Sequence, residues 1–102
     1  METSQIKTID VQAKEWFDKV NGNSYFSMNI TVNFGLKSKK MIYVPMQYGY
    51  GDHYKYMAIE TIKKELNCFK KYDKMQGYFK VYEDCKIIAR HSKQSNCLKR
   101  DL

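Results

Sequence analysis

A chain of 102 residues, 43% hydrophobic and 15% aromatic, suits one packed domain and excludes an intrinsically disordered polypeptide. No apolar run approaches the ~20 residues that a membrane-spanning helix needs, and five glycines without a repeat exclude a collagen-like architecture. Lysine and arginine number 18 against 11 acids, a net charge of +7 that attracts polyanions at long range and also serves plain solubility.

The first element is a hairpin. Ile9, Val11 and Ala13 alternate with Thr8, Asp10, Gln12 and Lys14. Further on, Phe26, Met28, Ile30, Val32 and Phe34 alternate with Ser27, Asn29, Thr31 and Asn33. A period of two marks half-buried strands. Between them, Asn21-Gly22 tolerates the positive φ values of a type I′ turn. Pairing Val20 with Asn23 then sets Phe17 against Phe26, Ala13 against Ile30, Val11 against Val32 and Ile9 against Phe34. Each pair joins core face to core face, and a one-residue slip would turn one apolar set to water. Glu15, opposite Met28, is the one exception and suggests a bulge or an end beyond the core.

Residues 35–40 read as a short basic loop. Met41 to Tyr48 reads as a third strand with Ile42, Val44, Met46 and Tyr48 on one face; Pro45 lacks an N–H, so either this strand lies at an edge or Pro45 sits where no ladder bond is needed. Tyr48-Gly49-Tyr50-Gly51 is a corner, and Asp52 is suited to cap a helix running from His53 to about Asn67. Tyr54, Ala58, Ile62 and Leu66, flanked by Met57 and Ile59, form its core-facing stripe. Residues 67–77 read as a lysine-rich connection holding Lys70, Lys71 and Lys74. Tyr78 to Val81 and Cys85 to Ala89 read as β-like, and residues 91–102 as a basic tail with little fixed structure. The expectation is a single α+β domain over residues 1–102. It is an antiparallel sheet of four or five strands, in β-β-β-α-β order, with one helix on one face.

The other face of the sheet then carries Lys14, Trp16 and Tyr25, joined by Tyr43 from the third strand. Rings flanked by cations suit single-stranded nucleic acid, whose bases stack while lysines track phosphate. Trp and Tyr are equally the residues that anchor protein interfaces, and a purely structural cross-strand role fits them too. Tyr48 and Tyr50 form a rim at the corner, where two glycines precede a helix start. That run lacks the spacing of a phosphate-binding loop.

Catalysis is not expected. Asp52 and His53 are adjacent, so their side chains diverge, and no serine sits in an elbow motif. Cys68, Cys85, His91 and Cys97 form a C-x16-C-x5-H-x5-C series without the close pairs of a structural zinc site. Neither metal nor cofactor is expected. An odd cysteine count, with Asp10, Lys14, Glu15 and Asp18 breaking up the opening stretch, fits reduced thiols in a cytoplasm.

The stretch Ala13-Lys14-Glu15-Trp16-Phe17-Asp18-Lys19-Val20-Asn21-Gly22-Asn23-Ser24-Tyr25, followed by Gln47-Tyr48-Gly49-Tyr50-Gly51-Asp52-His53-Tyr54, resembles small uncharacterised proteins of bacteriophages and prophages. In those a W-F-D-K-x-N-G-N-S-Y hairpin precedes a Y-G-Y-G-D-x-Y corner. The ending Lys99-Arg100-Asp101-Leu102 is similar to their basic endings; Lys99 and Arg100 stand among the candidate binding residues as cations of the basic tail. The resemblance covers roughly the first two-thirds of the chain and carries over no functional residue. It implies a phage accessory protein, acting in the cytoplasm of a bacterial host. Such proteins often bind and inhibit host defence or nucleic-acid-processing enzymes, and anti-CRISPR proteins are one class of them. The alternative is direct binding of single-stranded DNA or RNA on the basic aromatic face. No membrane partner is expected, and an exposed edge strand would permit a homodimer.

Overall fold

The computed structural model describes residues 2–69 and 78–102. Strands β1 (Thr8–Asp18), β2 (Asn23–Val32) and β3 (Lys40–Tyr48) are followed by helices α1 (His53–Glu65) and α2 (Tyr78–Cys85) and by strand β4 (Ile88–Gln94). The strands form one sheet in the order β3-β2-β1-β4. The fold is α+β, with α1 as the main helix packed on one face. The sheet is mixed, because β4 runs parallel to β1. The helical crossover from β3 to β4 carries the chain from one edge of the sheet to the other, which is what allows a parallel pairing.

The core follows from the two periodicities. Ile9, Val11 and Ala13 of β1, Phe26, Met28, Ile30 and Val32 of β2, and Val44 of β3 are buried against Tyr54, Ala58, Ile59 and Ile62 of α1. Full burial of an Ile, Val or Phe side chain is worth about 1.5–3 kcal/mol each. Phe69 and Ile6, at the margins of the sequence pattern, are also buried, and the Phe69 N–H donates to Thr3 Oγ1 at 2.9 Å.

The hairpin differs from its expected register by two residues. Asp18 pairs with Asn23, Ala13 with Met28, Val11 with Ile30 and Ile9 with Val32, leaving residues 19–22 as a four-residue loop. Asp18 is the cause. Its Oδ1 accepts from the Val20 N–H (3.0 Å) and the Asn21 N–H (3.3 Å), its Oδ2 accepts from the Asn21 amide (2.8 Å), and its carbonyl accepts from the Gly22 N–H at φ +71°. The Asn21 side-chain amide, aided by the backbone N–H groups of Asn21 and Val20, holds the Asp18 carboxyl below its ordinary range. A two-residue shift preserves parity, so the apolar faces stay inward. Phe17, opposite Ser24, falls beyond the core and is exposed. Phe34 is exposed too, because Asn33, at φ +58°, turns the chain out of β2.

β3 lies at the sheet edge, and Pro45 falls where its ladder to β2 breaks step, so both placements open to a residue without an N–H are met. Its register against β2 shifts between Phe26 and Met28, so that Pro45 and Met46 together oppose Ser27. This bulge reverses the alternation. Ile42 and Val44 face the core, whereas Met46 is exposed and Tyr48 pairs with Tyr25 on the other face. Tyr78 to Val81 is helical, not extended: Val81, Tyr82 and Cys85 form a helical stripe whose first two residues are buried. Four residues, Tyr-Phe-Lys-Val, are too few to distinguish a strand from a helical turn. Residues 91–94 complete β4, and Lys99–Asp101 forms a 3-10 turn. Of the lysine-rich connection, Lys70, Lys71 and Lys74 lie outside the described residues.

Candidate functional site

Opposite the helix-bearing face, Trp16, Tyr25 and Tyr48 stand side by side on three adjacent strands. Trp16 pairs with Tyr25, and Tyr25 with Tyr48, as the registers of β1–β2 and β2–β3 dictate. The Trp16 and Tyr25 rings stack at 5.5 Å with planes 26° apart, and Tyr25 meets Tyr48 edge-to-face at 6.0 Å. Offset stacks and edge contacts of this kind add about 0.5–1.5 kcal/mol per pair. On the other side of β1 the Cys97 N–H donates to the Glu15 carbonyl at 3.0 Å, which brings the following 3-10 turn beside Trp16. Lys99 Nζ thus lies 5.6 Å from the indole centre. Tyr25 belongs to β2, and Lys99 to the turn that follows β4, so the two reach the indole from the strands on either side of β1.

The remaining candidates are distributed around this row. Lys14, opposite Ser27, and Tyr43, opposite Asn29, share its face of the sheet. Tyr50 is exposed at the corner, where Tyr48, Gly49, Tyr50 and His53 line a cleft of about 330 Å³. Arg100 is exposed on the terminal turn. Gln12, Asn29, Ser92 and Gln94 form a polar continuation of the face.

Asp52 does not cap α1 through its side chain. Its carboxylate pairs with Lys55 Nζ at 3.4 Å, and its carbonyl accepts from the Lys55 N–H. The His53 ring leans edge-on to Phe26 at 6.0 Å and lies 6.1 Å from Tyr56. Among the described residues no three His, Cys, Asp or Glu side chains come together to hold a metal ion.

Two polar contacts on the helix-bearing face escape a reading by neighbours alone. Glu15, the misfit of the hairpin, is answered by Lys93, whose Nζ donates to Glu15 Oε2 (3.1 Å) and to the Gly51 carbonyl (3.0 Å). A charged residue at a core-facing position was the available signal, but its partner comes from the far end of the sequence. His91 on β4 faces inward between Tyr54 and Tyr82, with Nε2 3.1 Å from the Tyr82 hydroxyl. Burial, reinforced by the Lys55 charge and opposed by Asp52, holds its pKa below 6.5. Well above pH 6.5 the ring is neutral in folded and unfolded chains alike. As pH falls from there towards the folded-state value, the unfolded chain takes up the proton first and stability declines. Urea midpoints measured between pH 8 and 5 are expected to fall towards acid, with a shallower fall in His91→Gln.

Cys68 is buried, its thiol donates to the Ile62 carbonyl at 3.7 Å, and desolvation pushes its pKa up to about 11. At pH 8 about one thiol in a thousand is then ionised. Iodoacetamide is expected to spare Cys68 in the native protein and to label it readily in denaturant, read by peptide mass spectrometry.

No family model, no curated protein and no solved structure matches this chain.

Proposed function

We propose that this chain is a non-catalytic accessory protein that docks on a host or phage complex handling nucleic acid and restrains it, in the manner of anti-CRISPR proteins. The phage and host setting rests on the resemblance of the hairpin and corner motifs to phage proteins. The docking surface rests on one observation, the contiguous row of Trp16, Tyr25 and Tyr48 on the sheet face opposite α1. Contiguous rings flanked by Lys14 and Lys99 suit a protein interface, where Trp and Tyr dominate binding energy. Single-stranded DNA or RNA is the alternative favoured by the net charge of +7. Base stacking, however, needs an open ring face, and the indole already stacks with Tyr25 and has the Lys99 ammonium 5.6 Å from its centre.

The test is capture from a bacterial lysate with tagged protein, before and after nuclease treatment. A discrete protein species is expected to survive nuclease and to be lost with Trp16→Ala and with Tyr48→Ala. Removing a ring that anchors an interface costs about 2 kcal/mol, roughly 30-fold in affinity. Tyr48 is 58% exposed, so its truncation leaves the fold intact and separates lost docking from lost stability. Capture that disappears with nuclease would transfer the function to nucleic acid.

A further inference from the structure

We infer that the free edge of β3 receives an acidic, extended strand of a partner protein, which lengthens the sheet by one strand. The edge goes beyond the aromatic row: it would act through backbone hydrogen bonds, whether or not the row docks anything.

β3 ends the sheet, and among the described residues no strand pairs with its outer side. Residues 40–44 pair regularly with residues 28–32 of β2 before the bulge at Pro45 and Met46. Alternate residues of this segment turn their N–H and C=O groups outward, a template for strand addition. A lysine-flanked edge interrupted by proline is a common protection against unwanted pairing. Protection alone does not account for the side chains, since Met41 is 67%, Tyr43 54% and Met46 41% exposed along the same strand. A strand kept merely soluble would present polar residues there; large apolar ones mark a surface awaiting cover.

Charge selects the occupant. All 11 acidic residues of the chain lie outside residues 19–51, the segment that holds β2, β3 and their loop. That segment carries Lys19, Lys37, Lys39 and Lys40, and the last three stand at the start of β3. Lys37, Lys39 and Lys40 are all exposed. Two β3 edges paired antiparallel would set each lysine cluster against residues 44–48 of the other copy, a stretch without an acid to answer it, which disfavours a second copy of this chain. An acidic strand would gain the same electrostatics as attraction, together with cover for Met41 and Tyr43.

The probe is an acetylated, amidated seven-residue peptide alternating valine with glutamate, titrated into the isotopically labelled full chain. Its controls are the lysine-for-glutamate peptide and a glutamate peptide N-methylated at alternate valines. The expected result is shifted and exchange-protected amides in residues 40–44, with about tenfold preference for the glutamate over the lysine peptide. The preference should reverse in the double variant Lys39→Glu, Lys40→Glu, and binding should be lost on N-methylation. Equal binding of both peptides, or unmoved amides in residues 40–44, would overturn the inference. So would a concentration-dependent dimer in sedimentation that protects the same amides. Shifts confined to Trp16, Tyr25 and Tyr48 would overturn it while leaving the docking row in place.

Discussion

Asn33→Ala is expected to remove about 3 kcal/mol of stability, read as a lower urea midpoint at unchanged slope. Asn33 is fully buried and its side chain joins three segments. Its Oδ1 accepts from the backbone N–H groups of Lys7 (2.7 Å) and Thr8 (3.3 Å). Its Nδ2 donates to the Gln5 carbonyl (2.8 Å) and to Ser38 Oγ (2.9 Å). Alanine leaves these four groups to find other partners or none, and a buried polar group without a partner costs about 1–3 kcal/mol. The residue also sits at φ +58°, a conformation that asparagine tolerates and alanine resists. Asn33→Gly relieves the backbone without restoring the bonds, so it should recover only a minority of the loss. Equal stability of Asn33→Ala and the parent chain would mean that the side chain does not hold the start of β1 to the end of β2.

Gly49→Ala is expected to cost about 2 kcal/mol through steric conflict beneath the corner. A Cβ on Gly49 would lie 2.6 Å from His53 Cδ2 and 2.7 Å from Phe26 Cε1. The His53 ring is exposed and can swing aside. Phe26 is 2% exposed and cannot move without disturbing the core. The Gly49 N–H donates to the Ser24 carbonyl at 3.1 Å, which holds the corner against the hairpin and prevents it from lifting away. Phe26→Leu, which removes the conflicting ring atom, should make Gly49→Ala less costly. A double-mutant cycle on denaturation free energies would show a coupling of about 1 kcal/mol in that direction. Strict additivity would mean that the two residues do not meet.

The hairpin and α1 were legible because each shows a local period. Ile9 through Ala13 and Phe26 through Val32 declare their faces by alternation, and Tyr54, Ala58 and Ile62 declare theirs by helical spacing. The turn was misjudged in length because the Asn21-Gly22 pair is a strong local signal, whereas the bonding of the Asp18 carboxylate depends on three-dimensional reach. The bulge at Pro45 set the sidedness of Tyr48, and nothing in an alternating pattern reveals where a pattern breaks step. This mattered for the site. Tyr48 was expected on the core-facing side, but it joins Trp16 and Tyr25, whereas Tyr43 shares the face four residues further along β2, opposite Asn29. Lys93 and His91 were read as tail residues because the strand that orders them is a parallel partner of β1, many residues away in sequence. Long-range pairings of that kind leave no local periodicity to detect.

The placement of Trp16 between Tyr25 and Lys99 is the claim on which the docking reading turns, and Trp16 is the chain's single tryptophan. Its fluorescence can therefore be followed without interference while a poly-thymidine oligonucleotide is titrated at low and at high salt. The lysines will hold the oligonucleotide weakly at low salt, but with the indole already stacked on Tyr25 and held beside Lys99 the Trp16 emission should stay unquenched. Saturable quenching of Trp16 at low salt, relieved by added salt, would show bases stacked on an open indole and contradict the account.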